Sequence, residues 1–174
     1  FLNSREKKDS KNDSNDEMSV HSDDQSQFST EIDAVANDAD IALESNSSFT
    51  GRYEGTQGII CDASIVLNTT SNPRTITITY DGTTCPGAVH TRTGSIVISM
   101  AQGVQWKNAG AAVTVTFQNL KITRIRDNKS ITLNGSQTYT NVSGGLLINL
   151  PTLNTITHAI TSDGLSVTFD NGSQ

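Results

Sequence analysis

The residues that could do chemistry in this chain are few, and their spacing matches no common catalytic motif. The chain of 174 residues holds three histidines and two cysteines, namely His21, His90, His158, Cys61 and Cys85. No HExxH or GxSxG motif occurs, and a lone histidine on an apolar strand face is more often a core residue than a ligand. The glycine-rich stretch Gly51–Gly58 lacks the lysine and hydroxyl residue of a phosphate loop.

The acidic residues of the later part of the chain are scattered. Within residues 46–174 they are Glu54, Asp62, Asp81, Asp127, Asp163 and Asp170, most of them beside glycine or asparagine. Aspartate is favoured in such places because it hydrogen-bonds the backbone of turns, whereas acid–base catalysis needs ionisable groups held close together. We therefore predict no catalytic residue, no cofactor and no metal site, and we expect the protein not to be an enzyme.

Cys61 and Cys85 predict a disulfide rather than a metal site. Two thiols alone do not complete a zinc site. An even number of cysteines in a threonine-rich chain of strands favours pairing in an oxidising compartment. The bridge would close a loop of about two dozen residues and stabilise the fold by about 3 kcal/mol. Two unrelated buried thiols are the alternative.

Three side chains are candidates for contact with a partner: Trp106, Arg124 and Arg126. Trp106 is the only tryptophan, and its loop also carries glutamine and asparagine. An exposed tryptophan beside amides suits sugar stacking or a protein–protein hot spot. The alternative is that the ring folds back on the edge of the sheet. Arg124 and Arg126 flank a predicted turn at Asp127-Asn128, where they could anchor a partner protein.

Composition favours strands and turns, and the charge is uneven. Apolar residues make up 34% of the chain and charged residues 17%, while threonine, serine, asparagine and glycine are frequent. Residues 1–45 hold four basic and twelve acidic residues, a net charge of −8, whereas residues 46–174 hold eight and six, a net charge of +2. No basic face interleaved with aromatic residues is present, so we expect no nucleic-acid partner.

The residue pattern divides the chain into three parts. Residues 1–21 are charged and polar and predict a flexible linker. Residues 22–45 predict an amphipathic helix, capped by Ser22, because apolar residues recur at steps of three and four: Phe28, Ile32, Val35, Ala39 and Leu43. Residues 46–174 predict an antiparallel β domain, with alternation of apolar and hydroxyl residues most regular over residues 74–120.

The alternation also predicts which strand residues face the core. The inward set is Ile76, Ile78 and Tyr80, then Ile96, Ile98 and Met100, then Val113, Val115 and Phe117. A change of parity predicts a bulge at Gln118-Asn119, Asp163-Gly164 predicts a hairpin turn, and Cys61 shares the inward parity. We expect an all-β fold, either an antiparallel sandwich or a strongly curved meander sheet, with one N-terminal helix packed on it.

Several of these strands carry a further resemblance. The stretches CDASIVLNTTSNPRTITITYDGTTCPGAVHTRTGSIVISM, AVTVTFQNLKI and GSQTYTN resemble uncharacterised exported proteins of the Bacteroidota. These proteins show an ITIDFG-like strand, a cysteine-bearing turn, an R-T-R-x-G-x-I strand and a VTVTFDN-like strand. The acidic helix DQSQFSTEIDAVANDADIALES is similar to their leader, so the resemblance covers residues 22–174. Such proteins are commonly outer-membrane or surface lipoproteins.

The resemblance implies an extracytoplasmic protein, associated with the outer membrane or the cell surface, that meets the membrane only through a lipid anchor where one exists. Our first hypothesis is a non-enzymatic structural or accessory module of a cell-envelope assembly, with an envelope protein complex as its partner. The second is a carbohydrate-binding module that binds a glycan through Trp106. Because the last strand pattern runs directly into a turn, we also expect the natural chain to continue past Gln174.

Overall fold

The computed structural model describes residues 13–50 and 60–172, and most of the regular structure after residue 60 is β-strand. The stretch Gly51–Gly58 and residues 1–12 of the predicted linker lie outside the described residues. In chain order the elements are α1 (Asp13–Glu44), α2 (Ser47–Thr50), β1 (Ala63–Asn68), β2 (Arg74–Asp81), β3 (His90–Met100), β4 (Ala111–Arg124), β5 (Ser130–Asn141), a 3-10 helix (Leu147–Asn149), α3 (Leu150–Leu153) and β6 (His158–Phe169).

Helix α1 begins earlier than the sequence pattern predicted. Residues 13–21, predicted as the end of the linker, form its first turns, and Ser22 lies inside the helix rather than at its cap. Residues 13–44 contain neither glycine nor proline, so no residue of this stretch ends a helix. The described part of the chain divides into two compact units, and the boundary between them falls inside α1, between Ala34 and Val35.

Six strands form one antiparallel sheet in which every strand pairs with its neighbours in sequence. The order across the sheet is β1-β2-β3-β4-β5-β6, which is a simple meander. The fold is thus mostly β and antiparallel, which is consistent with the predicted all-β class. All six strands described here belong to this sheet, and the described residues form no second sheet of the kind that a sandwich requires.

One face of the four central strands forms the core. Ile76 of β2 pairs with Ile98 of β3, which pairs with Val115 of β4, so that inward side chains lie in rows across the sheet. The nine residues predicted to face inward are all at most 2% exposed. Full burial of one such aliphatic side chain stabilises a fold by about 1.5–3 kcal/mol, so these rows supply much of the driving force for folding.

Bulges interrupt the pairing along a line that crosses the sheet. The predicted bulge at Gln118-Asn119 is confirmed, since the β4–β5 register shifts there and Asn119 has a φ of 49°. The other two register shifts are at Gly94 in β3 and Gly135 in β5. The backbone N–H of Asn119 donates to Oδ1 of Asn134 at 2.9 Å, so neighbouring bulges are tied to each other. Bulges increase the local twist and bend the strands that carry them.

The predicted hairpin turn at Asp163-Gly164 is wrong. β6 is one strand that runs through both residues and pairs with β5 on either side of them. Gly164 has a φ of 62° and its carbonyl lies against Gly135, at the end of the line of bulges. A glycine with positive φ suits a bulge as well as a hairpin turn, so an Asp-Gly pair does not by itself distinguish the two.

We expect Gly94→Ala to destabilise the sheet far more than Gly103→Ala. Both glycines have a positive φ, so both substitutions strain the backbone. A Cβ at Gly94 would overlap the carbonyl of Asn119, whereas a Cβ at Gly103 would meet open space. The clash should add about 1–3 kcal/mol to the loss of unfolding free energy in denaturant titrations. Equal losses for the two variants would show that the bulge is not closely packed.

Candidate contact site

Trp106 is buried, so the prediction that it is an exposed contact residue is wrong. Its residue surface is 1% exposed, and its ring lies 5.2 Å from the ring of His158, centroid to centroid. Its backbone N–H donates to the carbonyl of Phe49 at 2.8 Å, and its carbonyl accepts from Nδ2 of Asn141 at 2.8 Å. The loop therefore folds back on the end of the sheet, which was the alternative interpretation.

Arg74 organises the same end of the sheet, and the sequence pattern gave no sign of it. Its guanidinium is buried and donates to the carbonyls of Ser48, Ala101 and Val104. The carbon of the guanidinium also lies 4.8 Å from the ring centroid of Phe49. A cation in this position satisfies carbonyl groups at the ends of short segments. Arg74 thus fixes α2 and the loop after β3, and it contributes to structure rather than to contact.

The predicted disulfide between Cys61 and Cys85 is confirmed, although Cys61 does not face the core. The two Cα atoms are 5.8 Å apart across 24 positions of sequence. Cys61 is exposed and precedes β1, which begins only at Ala63. The backbone N–H of Ala88 donates to the carbonyl of Cys85 at 3.0 Å. The bridge therefore fixes the turn that leads into β3.

A buried ionic cluster lies next to this disulfide. Nε and Nη2 of Arg92 donate to the two carboxylate oxygens of Asp62 at 2.8 and 2.6 Å. Nη1 of the same guanidinium donates to Oδ2 of Asp38 at 2.5 Å, and the hydroxyl of Tyr80 donates to that oxygen at 2.9 Å. The guanidinium carbon lies 4.4 Å from the centroid of the Tyr80 ring. Four segments of the second compact unit meet at this one cation.

The geometry of this cluster fits a structural role, in which its buried charges stabilise one another, better than a role in proton transfer. The side chains of Arg92, Asp38 and Asp62 are only 9%, 11% and 4% exposed, so a substrate has no direct approach to them. Burial raises the pKa of Tyr80, and the nearby charge of Asp38 raises it further. The phenol therefore stays protonated at neutral pH and serves as a hydrogen-bond donor. Both carboxylates have hydrogen-bonded partners, as buried charges require.

An open groove lies at the end of the sheet where β4 meets β5. Its volume is about 450 Å³, and its lining residues are Ala88, Val89, Arg124, Ile125 and Arg126. Val89 and Ile125 are 69% and 45% exposed, and the backbone N–H of Ile125 donates to the carbonyl of Val89 at 2.9 Å. We call this feature the Val89–Ile125 groove. It brings together Arg124 and Arg126, two of the three predicted contact residues.

The turn after β4 fixes the arginine side of the groove. Nε and Nη2 of Arg124 donate to the two carboxylate oxygens of Asp127 at 2.9 and 2.8 Å, and Nε of Arg126 lies 3.5 Å from the same carboxylate. The hydrogen bond from Arg124 holds the pKa of Asp127 below its ordinary value. The pair therefore stays ionised at neutral and mildly acidic pH, and the turn keeps its shape.

The positive charge of the β domain is concentrated at this turn. Residues 124–129 contain Arg124, Arg126 and Lys129 against the single acid Asp127, a net charge of +2. Two further basic residues of the domain, Arg74 and Arg92, are buried elsewhere. The groove thus combines an apolar floor with a basic rim. Arginine is enriched at protein contact sites, and such sites surround an apolar core with a polar rim.

Other kinds of site find no support in the part of the chain that the structure describes. No group of three histidine, cysteine or acidic side chains among these residues is placed to hold a metal ion. His158 packs on Trp106, and burial lowers its pKa. None of the described helices is both long enough and apolar enough to cross a bilayer.

We expect Arg92→Met to lower the free energy of unfolding by about 3–5 kcal/mol, because two buried carboxylates lose their cation. Denaturant titrations at neutral pH measure this loss. As the control, Asp38→Asn and Asp62→Asn added to Arg92→Met should recover part of the loss. A loss within about 0.5 kcal/mol, as at an ordinary surface position, would contradict the buried cluster.

We expect the protein with both Cys61→Ser and Cys85→Ser to unfold at lower denaturant concentration, with a loss of about 3 kcal/mol. Reduction of the unaltered protein should reproduce this loss, because it removes the same cross-link. Intact mass measured without reductant provides the direct check. A mass that corresponds to two free thiols would contradict the bridge.

Comparison of the chain with known protein families, with curated proteins and with solved structures found no match. The interpretation of the groove and of the buried cluster therefore depends on the residues of this chain alone. The resemblance to exported proteins of the Bacteroidota stays a prediction.

Proposed function

We propose that this protein is a non-enzymatic exported module that acts by protein–protein contact, as a structural or accessory part of a bacterial cell-envelope assembly. The observation that carries the proposal is the Val89–Ile125 groove, in which exposed aliphatic residues lie beside Arg124 and Arg126. Contact sites commonly place a small apolar centre beside arginine. The rigid floor and turn favour binding because little conformational entropy is lost there.

The proposed location outside the cytoplasm is supported by the Cys61–Cys85 disulfide. Disulfides persist in oxidising compartments and are rare in the cytosol. The proposal includes association with the outer membrane or the cell surface, membership of the exported Bacteroidota proteins that the strands resemble, and attachment through a lipid anchor where one exists.

The proposed shape is a strongly curved sheet with the C-terminal part of α1 packed on one face. Bulges at Gly94, Gln118-Asn119 and Gly135 support the curvature, because each one bends its strand. The hydrogen bonds of Asp38 to Tyr80 and Arg92 support the position of the helix end. Glycan binding through Trp106 loses its basis, since the indole ring is buried.

The groove can be tested by capture of envelope proteins on the purified full chain. We expect Val89→Ser combined with Ile125→Ser to reduce recovery of a specific envelope protein on the order of tenfold, because the apolar centre of the contact is lost. Quantitative mass spectrometry of the captured proteins measures this. Val66→Ser is the matched control, since Val66 is 63% exposed and lies outside the groove on β1.

Circular dichroism should show that the double variant keeps its fold, because both altered side chains are largely exposed. If every envelope protein captured by the unaltered chain is captured equally by the double variant, contact does not occur through the groove. If the unaltered chain shows a transferase or hydrolase activity that the double variant loses, the non-enzymatic proposal fails.

A further inference from the structure

We propose that the Val89–Ile125 groove recognises an acidic peptide segment, in which a carboxylate side chain stands next to a large apolar side chain. This inference rests on the proposed function, since it names the chemistry of the partner at the same site. The apolar residue would lie on Val89 and Ile125, and the carboxylate would face the basic turn that contains Arg124 and Arg126.

The basic rim of the groove is complementary in charge to an acidic side chain. Residues 124–129 carry a net charge of +2 even after Asp127 is counted, and the side chain of Arg126 is 69% exposed. Arginine matches a carboxylate in planar geometry and makes stronger hydrogen bonds to it than to a neutral group. The rim therefore attracts an acidic side chain of a partner and repels a basic one.

The apolar floor of the groove is formed before any partner binds. The hydrogen bond from Ile125 to the carbonyl of Val89 sets the two side chains beside each other. The turn that begins at Cys85 fixes Ala88, and the Arg124–Asp127 pair fixes the other wall. Hydrogen bonds and an ion pair within the chain hold both walls of the groove. A ligand therefore meets two aliphatic surfaces and a cationic rim at fixed spacing.

The size of the groove indicates a peptide rather than a membrane surface. A volume of about 450 Å³ accommodates one or two side chains. Basic clusters that bind anionic membranes usually contain about four to eight lysine or arginine residues, and this turn contains three. Lys121 is also exposed but lies within β4 rather than in the turn, and the exposed Lys107 lies at the opposite end of that strand. The basic charge is therefore too local for a flat anionic surface and fits one acidic segment.

The test uses the purified full chain and three synthetic peptides. GGEFEGG contains a phenylalanine between two glutamates, GGQFQGG replaces the glutamates with glutamine, and GGEGEGG removes the apolar side chain. We expect GGEFEGG to bind weakly, in the high micromolar to millimolar range, as the small contact implies. NMR chemical-shift changes of the Val89 and Ile125 methyl groups measure binding. Both control peptides should bind at least about fivefold more weakly.

Variants of the protein separate charge from fold. Arg126→Gln should weaken binding of GGEFEGG at least about fivefold and make binding less sensitive to salt, because one rim charge is lost. Lys107→Gln is the matched control, since it removes one exposed positive charge at the other end of β4, and it should leave binding unchanged. Equal binding of the glutamate and glutamine peptides would overturn the inference, and so would an equal effect of the two protein variants.

Vesicles made with and without phosphatidylglycerol provide the remaining comparison. Binding to the anionic vesicles that depends on Arg126, without binding of GGEFEGG, would overturn the peptide inference in favour of a membrane surface. Envelope-protein capture that depends on Val89 and Ile125, together with peptide binding that ignores charge, would refute the inference and leave the proposed function standing. Charge-dependent peptide binding with groove-independent capture would refute the proposed function alone.

Discussion

The rest of the domain depends on the ionic interactions of the buried guanidinium of Arg92. It joins Asp38 near the end of α1, Asp62 ahead of β1, and the ring of Tyr80 on β2 to its own strand β3. Moving a single ion out of water costs several kcal/mol, and only close geometry with further hydrogen bonds offsets that cost. Such a cluster tolerates little displacement. It therefore specifies where the helix end, the first strand and the disulfide lie relative to one another.

The cluster and the groove are connected through a short stretch of chain. Asp62 follows Cys61, which is bridged to Cys85, and Cys85 opens the turn that ends at Ala88 and Val89. Arg92 follows a few residues later on β3. The position of the groove floor is thus set by covalent and ionic constraints at both of its ends. These constraints hold the backbone of the groove floor without contributions from its own side chains. The side chains of the floor can therefore stay exposed instead of packing on the sheet.

The central strands could be predicted from sequence because the residue pattern of each strand indicates which of its side chains are buried. In β2, β3 and β4 the alternation of apolar and hydroxyl residues identifies the inner face without reference to any other part of the chain. The bulge at Gln118-Asn119 was predictable for the same reason, since the change of parity is local. The disulfide was predictable from the number of cysteines and the strand-rich composition, although not from the direction in which Cys61 points.

The remaining features depend on contacts between residues far apart in sequence. Arg92 and Asp38 are separated by 54 positions, and neither stands out in the local pattern. The polar loop around Trp106 leaves both an exposed and a folded-back ring open, whereas hydrogen bonds of its backbone with Phe49 and Asn141 hold the loop on the sheet. Arg124 and Arg126 were identified from their turn, whereas Val89, the other half of the groove, lies in a loop with no distinctive signal. Tertiary packing determines the positions of all these side chains.

The meander order has a consequence for the sequence in which the strands can assemble. Since each strand pairs only with its neighbours in sequence, a chain that emerges N-terminus first can add its strands one at a time, and each new strand finds its template already formed. Pairing between sequence neighbours closes smaller loops than pairing between distant segments would, which keeps the entropy of loop closure low and favours rapid folding. α1 is the exception, because Asp38 must wait for Arg92 to appear. The end of the helix is thus secured only once β3 has emerged.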